Sequence, residues 1–167
     1  DIMKHVAVIG STGSIGRQTI EIIREKREQL AVSALAVDTG IEELEKQIRE
    51  FSPKIACVYN CEKAEILKTR VADCSTKIVS GMDGLFECVT ESEVDIVLMS
   101  VVGMIGIQPT IEAIKAGKDI ALAIDAAASE FYDEETGKYT LDNKLYSALE
   151  LKDYYLSKGY SLNDRVG

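Results

Sequence analysis

The chain has 167 residues, of which 46% are hydrophobic and 28% are charged, a composition typical of one globular domain with its own core. The formal net charge of −9 argues against nucleic acid as a partner, because phosphate backbones are bound by clustered lysine and arginine. No apolar run approaches the roughly 18 residues of a membrane span and no signal-peptide pattern opens the chain, so we expect a cytoplasmic protein without membrane contact.

The first strand and the first helix are separated by a glycine-rich segment. The β-branched run at residues 6–9 predicts a buried parallel strand, and the pattern of residues 14–26 predicts a helix. Between them, residues 10–16 have the sequence GSTGSIG. A strand that turns through glycines into a helix presents unpaired backbone N–H groups and the positive end of the helix dipole, an arrangement that binds phosphate.

The three glycines of this segment fit Gly-x-x-Gly-x-x-Gly, a variant of the dinucleotide-binding fingerprint. Gly10 permits the tight turn, Gly13 lets a pyrophosphate approach the backbone, and Gly16 lets the helix pack close to the strand. The hydroxyl groups of Thr12 and Ser14 add donors, and Ser14 is also a candidate helix cap. The alternative is that the glycines serve only the turn. A P-loop is excluded, because no Gly-Lys-Ser/Thr follows.

Strand and helix signals then alternate along the chain. Further strands are predicted at residues 30–37, 55–59, 77–79, 94–101 and 119–123, and further helices at 41–51, 61–72 and 81–89. Residues 103–116 predict a glycine-containing turn followed by a helix. This alternation predicts a Rossmann-like α/β fold, a doubly wound, mostly parallel sheet with helices on both faces. The predicted dinucleotide-binding domain spans residues 3–123.

The pattern changes near residue 124. Residues 133–137 are polar and indicate a hairpin or loop, and residues 138–141 predict a short strand. The spacing of Leu145, Leu149 and Leu156 predicts an amphipathic helix that ends at Gly159. We expect residues 124–167 to be an extension packed on the first domain, not an independent domain.

Asp38 ends the second predicted strand, 22 positions after Gly16. A carboxylate at that place accepts hydrogen bonds from a ribose 2′-hydroxyl and repels a 2′-phosphate, which favours NAD(H). The alternative is that Asp38 starts a turn or caps the helix that begins at Ile41.

A second glycine-containing loop follows the long apolar strand at residues 94–101. Val101 and Gly103 would leave room for a flat ligand at the carboxyl ends of parallel strands. Pro109 is expected in the first turn of the next helix. Alternatively, Gly103 and Gly106 only close the turn between strand and helix.

Four segments match one family: GSTGSIG at residues 10–16, FSP at 51–53, VVGxxGIxPT at 101–110 and AGKDIALA at 116–123. Residues 3–123 thereby resemble the N-terminal NADPH-binding domain of 1-deoxy-D-xylulose 5-phosphate reductoisomerase. That family isomerises and reduces a sugar phosphate to 2-C-methyl-D-erythritol 4-phosphate in non-mevalonate isoprenoid synthesis. The resemblance implies NADP(H) as the cofactor, with its phosphates held by Thr12, Gly13, Ser14 and Ile15.

The chain departs from the family pattern at two places. The family carries Gly-Lys-Asn or Asn-Ser-Asn after its second strand, where it contacts the adenosine-side phosphate, whereas this chain has Asp38, Thr39 and Gly40. The family continues after Ile-Ala-Leu-Ala with Asn-Lys-Glu, whereas residues 124–126 here are Ile-Asp-Ala. Its catalytic domain, with a carboxylate metal site, has no counterpart in residues 124–167. The cofactor expectation is therefore NADP(H) or NAD(H), and no catalytic residue is assigned.

Residues 119–141 resemble a segment of enolase, in which the aspartate matching Asp125 ends a barrel strand and binds Mg²⁺. The two resemblances meet within residues 118–123, which indicates a chimera, natural or engineered. No metal site is expected, because a hard divalent ion needs several oxygen ligands and the other enolase carboxylates and lysine base are missing.

Other catalytic chemistry is sparse in this sequence. With His5 as the single histidine, no Ser-His-Asp or Cys-His set can be assembled, and the four cysteines lack the usual metal-binding spacing. We expect a dinucleotide-binding domain that is not competent for turnover alone. The alternatives are a ligand-free folded chimera that serves assembly, and a complete small reductase. An uncovered edge of a parallel sheet favours self-association, which leaves a homodimer open.

Overall fold

The computed structural model of the chain describes residues 2–101 and 104–122, together with short strands at 132–133, 138–141 and 144–146. The helices and strands of the first part are β1 (Lys4–Ile9), α1 (Ser14–Glu25), β2 (Leu30–Val37), α2 (Ile41–Phe51), β3 (Ile55–Val58), α3 (Cys61–Arg70), β4 (Lys77–Ser80), α4 (Gly81–Thr90), β5 (Ile96–Met99), α5 (Met104–Lys115) and β6 (Asp119–Leu122). The remaining strands are β7 (Tyr132–Asp133), β8 (Lys138–Leu141) and β9 (Lys144–Tyr146). Contacts group the chain into two compact units, Asp1–Ile124 and Asp125–Gly167.

The first unit is built on a six-stranded sheet with the strand order β4-β3-β2-β1-β5-β6. Every pair of neighbouring strands in it is parallel. Parallel neighbours need a crossover connection, and each successive pair of strands is joined by one of the helices α1 to α5. The predicted Rossmann-like α/β fold is confirmed.

Apolar side chains of the strands alternate between the two faces of the sheet, so that two cores form. Val8 of β1 belongs to the core on the side of α1, α2 and α3, where Leu44 is fully buried. The next residue, Ile9, belongs to the opposite core with Leu85 of α4 and Ala113 of α5. Helices therefore cover both faces, as the sequence predicts.

The strand order reverses at β1. The chain moves outward through β2, β3 and β4, and then returns to place β5 on the other side of β1. The connections that follow β1 and β5 therefore leave the carboxyl edge of the sheet in opposite directions. Open α/β sheets bind their ligands at such a switch point.

Helix α5 includes Pro109 in its interior, so the prediction that this proline lies in the first turn is wrong. The helix begins earlier, at Met104. A Cβ on Gly106 would lie 2.9 Å from the Val101 carbonyl oxygen, so only glycine lets the first turn lie so close to the preceding loop. The proline removes one helical N–H, and in the same turn the Thr110 hydroxyl donates to the Gly106 carbonyl oxygen at 2.7 Å.

The second unit contains a three-stranded antiparallel sheet in the order β7-β8-β9. The predicted strand at residues 138–141 is confirmed as β8. The helix predicted to begin at Leu145 is wrong at its start, because Leu145 lies in β9 and pairs with Thr140. Only two residues separate β8 from β9, the spacing of a tight hairpin. The rest of that predicted helix, residues 147–159, lies outside the described residues. None of the helices described is long and apolar enough to cross a membrane.

Candidate functional site

The connection from β1 to α1 begins with a turn at Gly10, whose φ of +90° disfavours any residue with a side chain. The N–H groups of Gly10 and Ser11 both donate to the Ala36 carbonyl oxygen of β2, at 2.8 and 3.1 Å. A Cβ on Gly10 would lie 2.7 Å from the Ser100 Oγ. The turn is thus fixed against both neighbouring strands, and glycine is required by conformation and by space.

Gly16 brings α1 against this turn. A Cβ on Gly16 would lie 2.0 Å from the Gly10 carbonyl oxygen and 2.7 Å from the Ser11 Cα, both of them backbone atoms that cannot move aside. The close helix–strand packing predicted for Gly16 therefore has a direct structural basis. It holds the first turn of α1 next to the turn at Gly10.

Gly13 differs from the other two glycines. Its φ of −77° and ψ of 174° are accessible to any residue, and the nearest atom to a Cβ there is the Gly10 carbonyl oxygen at 3.5 Å, an ordinary contact. Gly13 is also exposed. Neither the conformation nor the packing of the described residues requires glycine at this position, so the space beside it is open to a ligand.

The backbone amides around Gly13 are available to an anion. The N–H groups of Thr12, Ser14, Ile15 and Gly16 make no hydrogen bond within residues 2–101 and 104–122. The first turn of α1 contains no acidic residue. The prediction that Ser14 caps α1 is wrong, because the cap is Gly13 and no side chain caps the helix. A ligand phosphate would fit this set of donors and the positive end of the helix dipole.

The end of β2 lies beside the same turn. A Cβ on Gly40 would be 3.1 Å from the Thr12 Oγ1, so the segment at residues 38–40 faces the loop at residues 10–13. Asp38 is exposed, and its carboxylate makes no hydrogen bond to any residue that the structure describes. Gly40 caps α2 without a side-chain bond, so the alternative role of Asp38 as the helix cap is not found. Thr39 is exposed next to it.

The loop after β5 contacts the turn from the other side. The Ser100 hydroxyl donates to the Ile9 carbonyl oxygen at 2.7 Å, and also lies 3.2 Å from the Gly10 carbonyl oxygen. The Val101 Cγ2 would be 3.3 Å from a Cβ on Gly10. Val101 therefore lies beside the turn at Gly10, next to the place where a flat ligand is predicted, whereas Gly103 lies outside the described residues.

Gln47 is a residue of this site that sequence reasoning missed. It lies on α2, is 5% exposed, and contacts Ser11, which is fully buried. The Ser11 hydroxyl donates to Gln47 Oε1 at 2.6 Å, and Gln47 Nε2 donates to the Ser11 carbonyl oxygen at 3.0 Å. The available signal was a polar residue within the apolar face formed by Leu44 and Ile48.

Two ion pairs, Arg17–Glu43 and Arg24–Glu50, join the helices that flank the site, and the first lies nearer the loop. Arg17 of α1 donates to both carboxylate oxygens of Glu43 on α2, at 2.8 Å to Oε1 and 2.6 Å to Oε2. The hydrogen bond from Arg17 lowers the pKa of Glu43 below its usual range and keeps the carboxylate ionised. The pair lies one helical turn beyond Gly13, on the surface.

The other candidate side chains are placed away from this site. Cys57 and Cys88 are buried between the sheet and α4, and the neighbouring Cys57 thiol together with burial raises the pKa of Cys88. The His5 backbone N–H donates to Asp95, at the amino end of β1. Among the described residues no group of histidine, cysteine and acidic side chains could hold a metal ion. Asp125 lies outside them.

Two family models match the chain. The model for 1-deoxy-D-xylulose 5-phosphate reductoisomerase matches residues 6–125, and the model for the enolase C-terminal TIM barrel domain matches residues 99–160. The first match contains the whole site described above. The second begins at the end of β5 and extends into the second unit.

Curated relatives carry the same family name. The 1-deoxy-D-xylulose 5-phosphate reductoisomerase of Lachnoclostridium phytofermentans is 57% identical over 121 residues, which are 72% of this chain and 31% of the relative. That of Desulfitobacterium hafniense is 50% identical over 121 residues, with 72% and 32% covered. The chain spans about a third of the length of the curated relatives it matches.

Solved structures agree with the sequence matches. DOX-P reductoisomerase in complex with NADPH, fosmidomycin and magnesium has a TM-score of 0.70 at 34% identity, over 72% of this chain and 30% of that one. The Zymomonas mobilis reductoisomerase in complex with NADPH has a TM-score of 0.69 at 29% identity, over 73% and 32%. The chain, through residues 6–125, belongs to the 1-deoxy-D-xylulose 5-phosphate reductoisomerase family.

Proposed function

We propose that residues 3–123 form a nicotinamide dinucleotide-binding domain that takes NADP(H). The observation that carries this proposal is the group of unbonded amides at Thr12, Ser14 and Ile15 around the open space at Gly13. The related structures that contain NADPH support the choice of ligand, since they share this fold and family. Bound NADPH supplies a hydride.

The residues around the loop would have different roles in binding the cofactor. The pyrophosphate would lie over Gly13 and accept from the amides of Ser14 and Ile15, with the Thr12 hydroxyl as a further donor. Gly10 and Gly16 shape the turn that presents these amides. Ligand groups beyond the pyrophosphate would lie toward Val101 on one side, and the predicted contact with Gly103 concerns a residue outside the described ones.

The adenosine ribose would lie on the other side, near Asp38, Thr39 and Gly40. A carboxylate at Asp38 disfavours a 2′-phosphate and favours a free 2′-hydroxyl, so NAD(H) is the alternative cofactor. Family membership supports NADP(H), and the exposed Asp38 supports NAD(H). Binding measurements with both cofactors decide between them.

We do not expect this chain alone to convert a sugar phosphate. The matched region covers about a third of the relatives, and hydride transfer needs a substrate held against the nicotinamide in a pocket without water. We propose a cytoplasmic cofactor-binding domain without isolated reductoisomerase activity. Substrate-dependent oxidation of NADPH by the isolated chain would contradict this and favour a complete small reductase.

Isothermal titration of the full chain with NADPH and NADH tests the proposal. We expect saturable 1:1 binding of at least one cofactor, and competition by inorganic pyrophosphate. Failure of both cofactors to bind more tightly than about 1 mM would end the proposal.

A second candidate function is a scaffold or assembly role for a chimeric chain that binds no cofactor. The match of residues 99–160 to the enolase barrel and the separate antiparallel sheet favour an origin of residues 124–167 outside the reductoisomerase family. We propose that these residues are an extension that does not fold alone. Circular dichroism of the isolated segment checks this, and sedimentation that detects a dimer indifferent to NADPH would favour the assembly role.

A further inference from the structure

We infer that Gln47 is a positioning residue for cofactor binding, which it controls without touching the ligand by fixing the loop at residues 10–13. The inference rests on the proposed function. It concerns a side chain on α2, distant in sequence from the glycine-rich segment.

The Gln47 amide supplies two of the three polar contacts of Ser11. The Ser11 hydroxyl donates to Gln47 Oε1 at 2.6 Å, and the Ser11 carbonyl oxygen accepts from Gln47 Nε2 at 3.0 Å. The Ser11 N–H donates to the Ala36 carbonyl oxygen at 3.1 Å. Every hydrogen-bonding group of this buried serine thus has a partner, and its backbone is held on both sides.

Ser11 connects the two functional parts of the loop. Gly10 before it is fixed to β2 and β5, whereas the amides of Thr12 and Ser14 after it are unbonded. A loop whose free amides converge on an anion must be held by something other than those amides. Of the side chains described, only that of Gln47 hydrogen-bonds to residues 11–13.

Helix α2 also places the ribose end of the site. Its cap, Gly40, approaches Thr12, and its Glu43 pairs with Arg17 of α1. The rigid helix therefore fixes Gly40 and Gln47 relative to one another, and through them residues 38–40 relative to the loop. Without the Gln47 bonds Ser11 keeps only its N–H bond to Ala36, so the loop gains freedom to move and the amides converge less closely.

The test compares Gln47→Met with Ile48→Ala in the full chain. Methionine keeps the length of the side chain without its hydrogen bonds. Ile48 is 1% exposed on the same helix and belongs to the core, so its truncation destabilises the fold but keeps the hydrogen bonds of Gln47 to the loop. NADPH titration is carried out well below the melting temperature of each variant, with amide hydrogen exchange of residues 10–13 as the second readout.

We expect Gln47→Met to raise the Kd for NADPH at least about tenfold and to speed exchange of the loop amides, whereas Ile48→Ala keeps the Kd within about twofold. Ser11→Ala retains the bond from Gln47 Nε2 to the backbone. Its Kd and its rate of loop exchange should therefore lie between those of wild type and Gln47→Met. It also serves as the variant to measure should Gln47→Met not fold.

Unchanged binding and exchange in Gln47→Met, or equal weakening in Ile48→Ala, would overturn the inference. A wild-type chain that does not bind NADPH overturns the proposed function instead. Hydrogen exchange needs no ligand, so it tests the positioning role even if the wild-type chain does not bind NADPH. Faster exchange of the loop amides in Gln47→Met then supports that role, and unchanged exchange refutes it.

Discussion

The two substitutions Gly13→Ala and Gly16→Ala add the same methyl group three residues apart, and the structure predicts opposite consequences. At Gly13 a Cβ would meet only the Gly10 carbonyl oxygen at 3.5 Å, and the backbone already has an unstrained φ of −77°. Alanine there restricts the unfolded chain, so the free energy of unfolding should be unchanged or rise by about 0.4–1 kcal/mol.

At Gly16 the added Cβ would lie 2.0 Å from the Gly10 carbonyl oxygen, well inside van der Waals contact. The Gly10 carbonyl oxygen and the nearby Ser11 Cα are both backbone atoms, so α1 must move away from β1 to make room. We expect Gly16→Ala to lower the free energy of unfolding by about 3 kcal/mol or more.

Urea unfolding monitored by circular dichroism measures both effects, and NADPH titration measures binding by the Gly13→Ala protein. If the pyrophosphate lies over Gly13, the methyl group occupies its space and the Kd should rise at least about tenfold, or about 1.4 kcal/mol. A stable Gly13→Ala protein with wild-type affinity would refute the placement of the pyrophosphate. A Gly16→Ala protein as stable as wild type would refute the packing argument.

Two further predictions concern the surroundings of the loop, and a third concerns the ion pair between the carboxyl ends of α1 and α2. Asp38→Ala should shift the ratio of affinities toward NADPH over NADH, because it removes a negative charge near the adenosine ribose. The same ratio in wild type and variant would mean that Asp38 is only a turn residue. Ser100→Ala should lower the free energy of urea unfolding by about 1 kcal/mol through loss of the 2.7 Å hydrogen bond to Ile9, and no loss would mean that solvent replaces that bond. The hydrogen bond from Arg24 lowers the pKa of Glu50 below its usual 4.5, so the stability that Glu50 contributes is present above that pH and is lost as the pH falls through the folded-state pKa. The difference in free energy of unfolding between wild type and Glu50→Gln, about 1 kcal/mol or less for a surface pair, should therefore vanish in acid, and a difference that persists there would have another cause.

The limits of sequence reasoning are clearest at α5 and β9. Pro109 is typical of a first helical turn, but the helix begins five residues before it, where Gly106 lies close to the Val101 carbonyl oxygen. Leu145 fits a helical repeat with Leu149, yet cross-strand pairing with Thr140 makes it part of a hairpin. In both cases a contact between residues five positions apart outweighs the preference of a single residue.

The site shows the same division. The motif Gly-x-x-Gly-x-x-Gly located the loop. It does not show that the fold requires glycine at positions 10 and 16 but not at position 13. Those roles are distinguished only by how close a Cβ added at Gly16 or at Gly13 would come to the Gly10 carbonyl oxygen. Gln47 was missed for a related reason, since its partner, Ser11, lies 36 residues away in the chain.

The amino-acid sequence by itself determined the order of strands and helices, the parallel sheet and the place of the glycine turn, because these follow from local periodicity and from the backbone freedom of glycine. The tertiary structure alone decided which amides stay unbonded, which side chain holds Ser11, and that residues 38–40 and Ser100 lie on either side of the turn. Those facts depend on distances between segments far apart in the chain, and such distances are fixed only when the sheet is assembled and its two cores are packed.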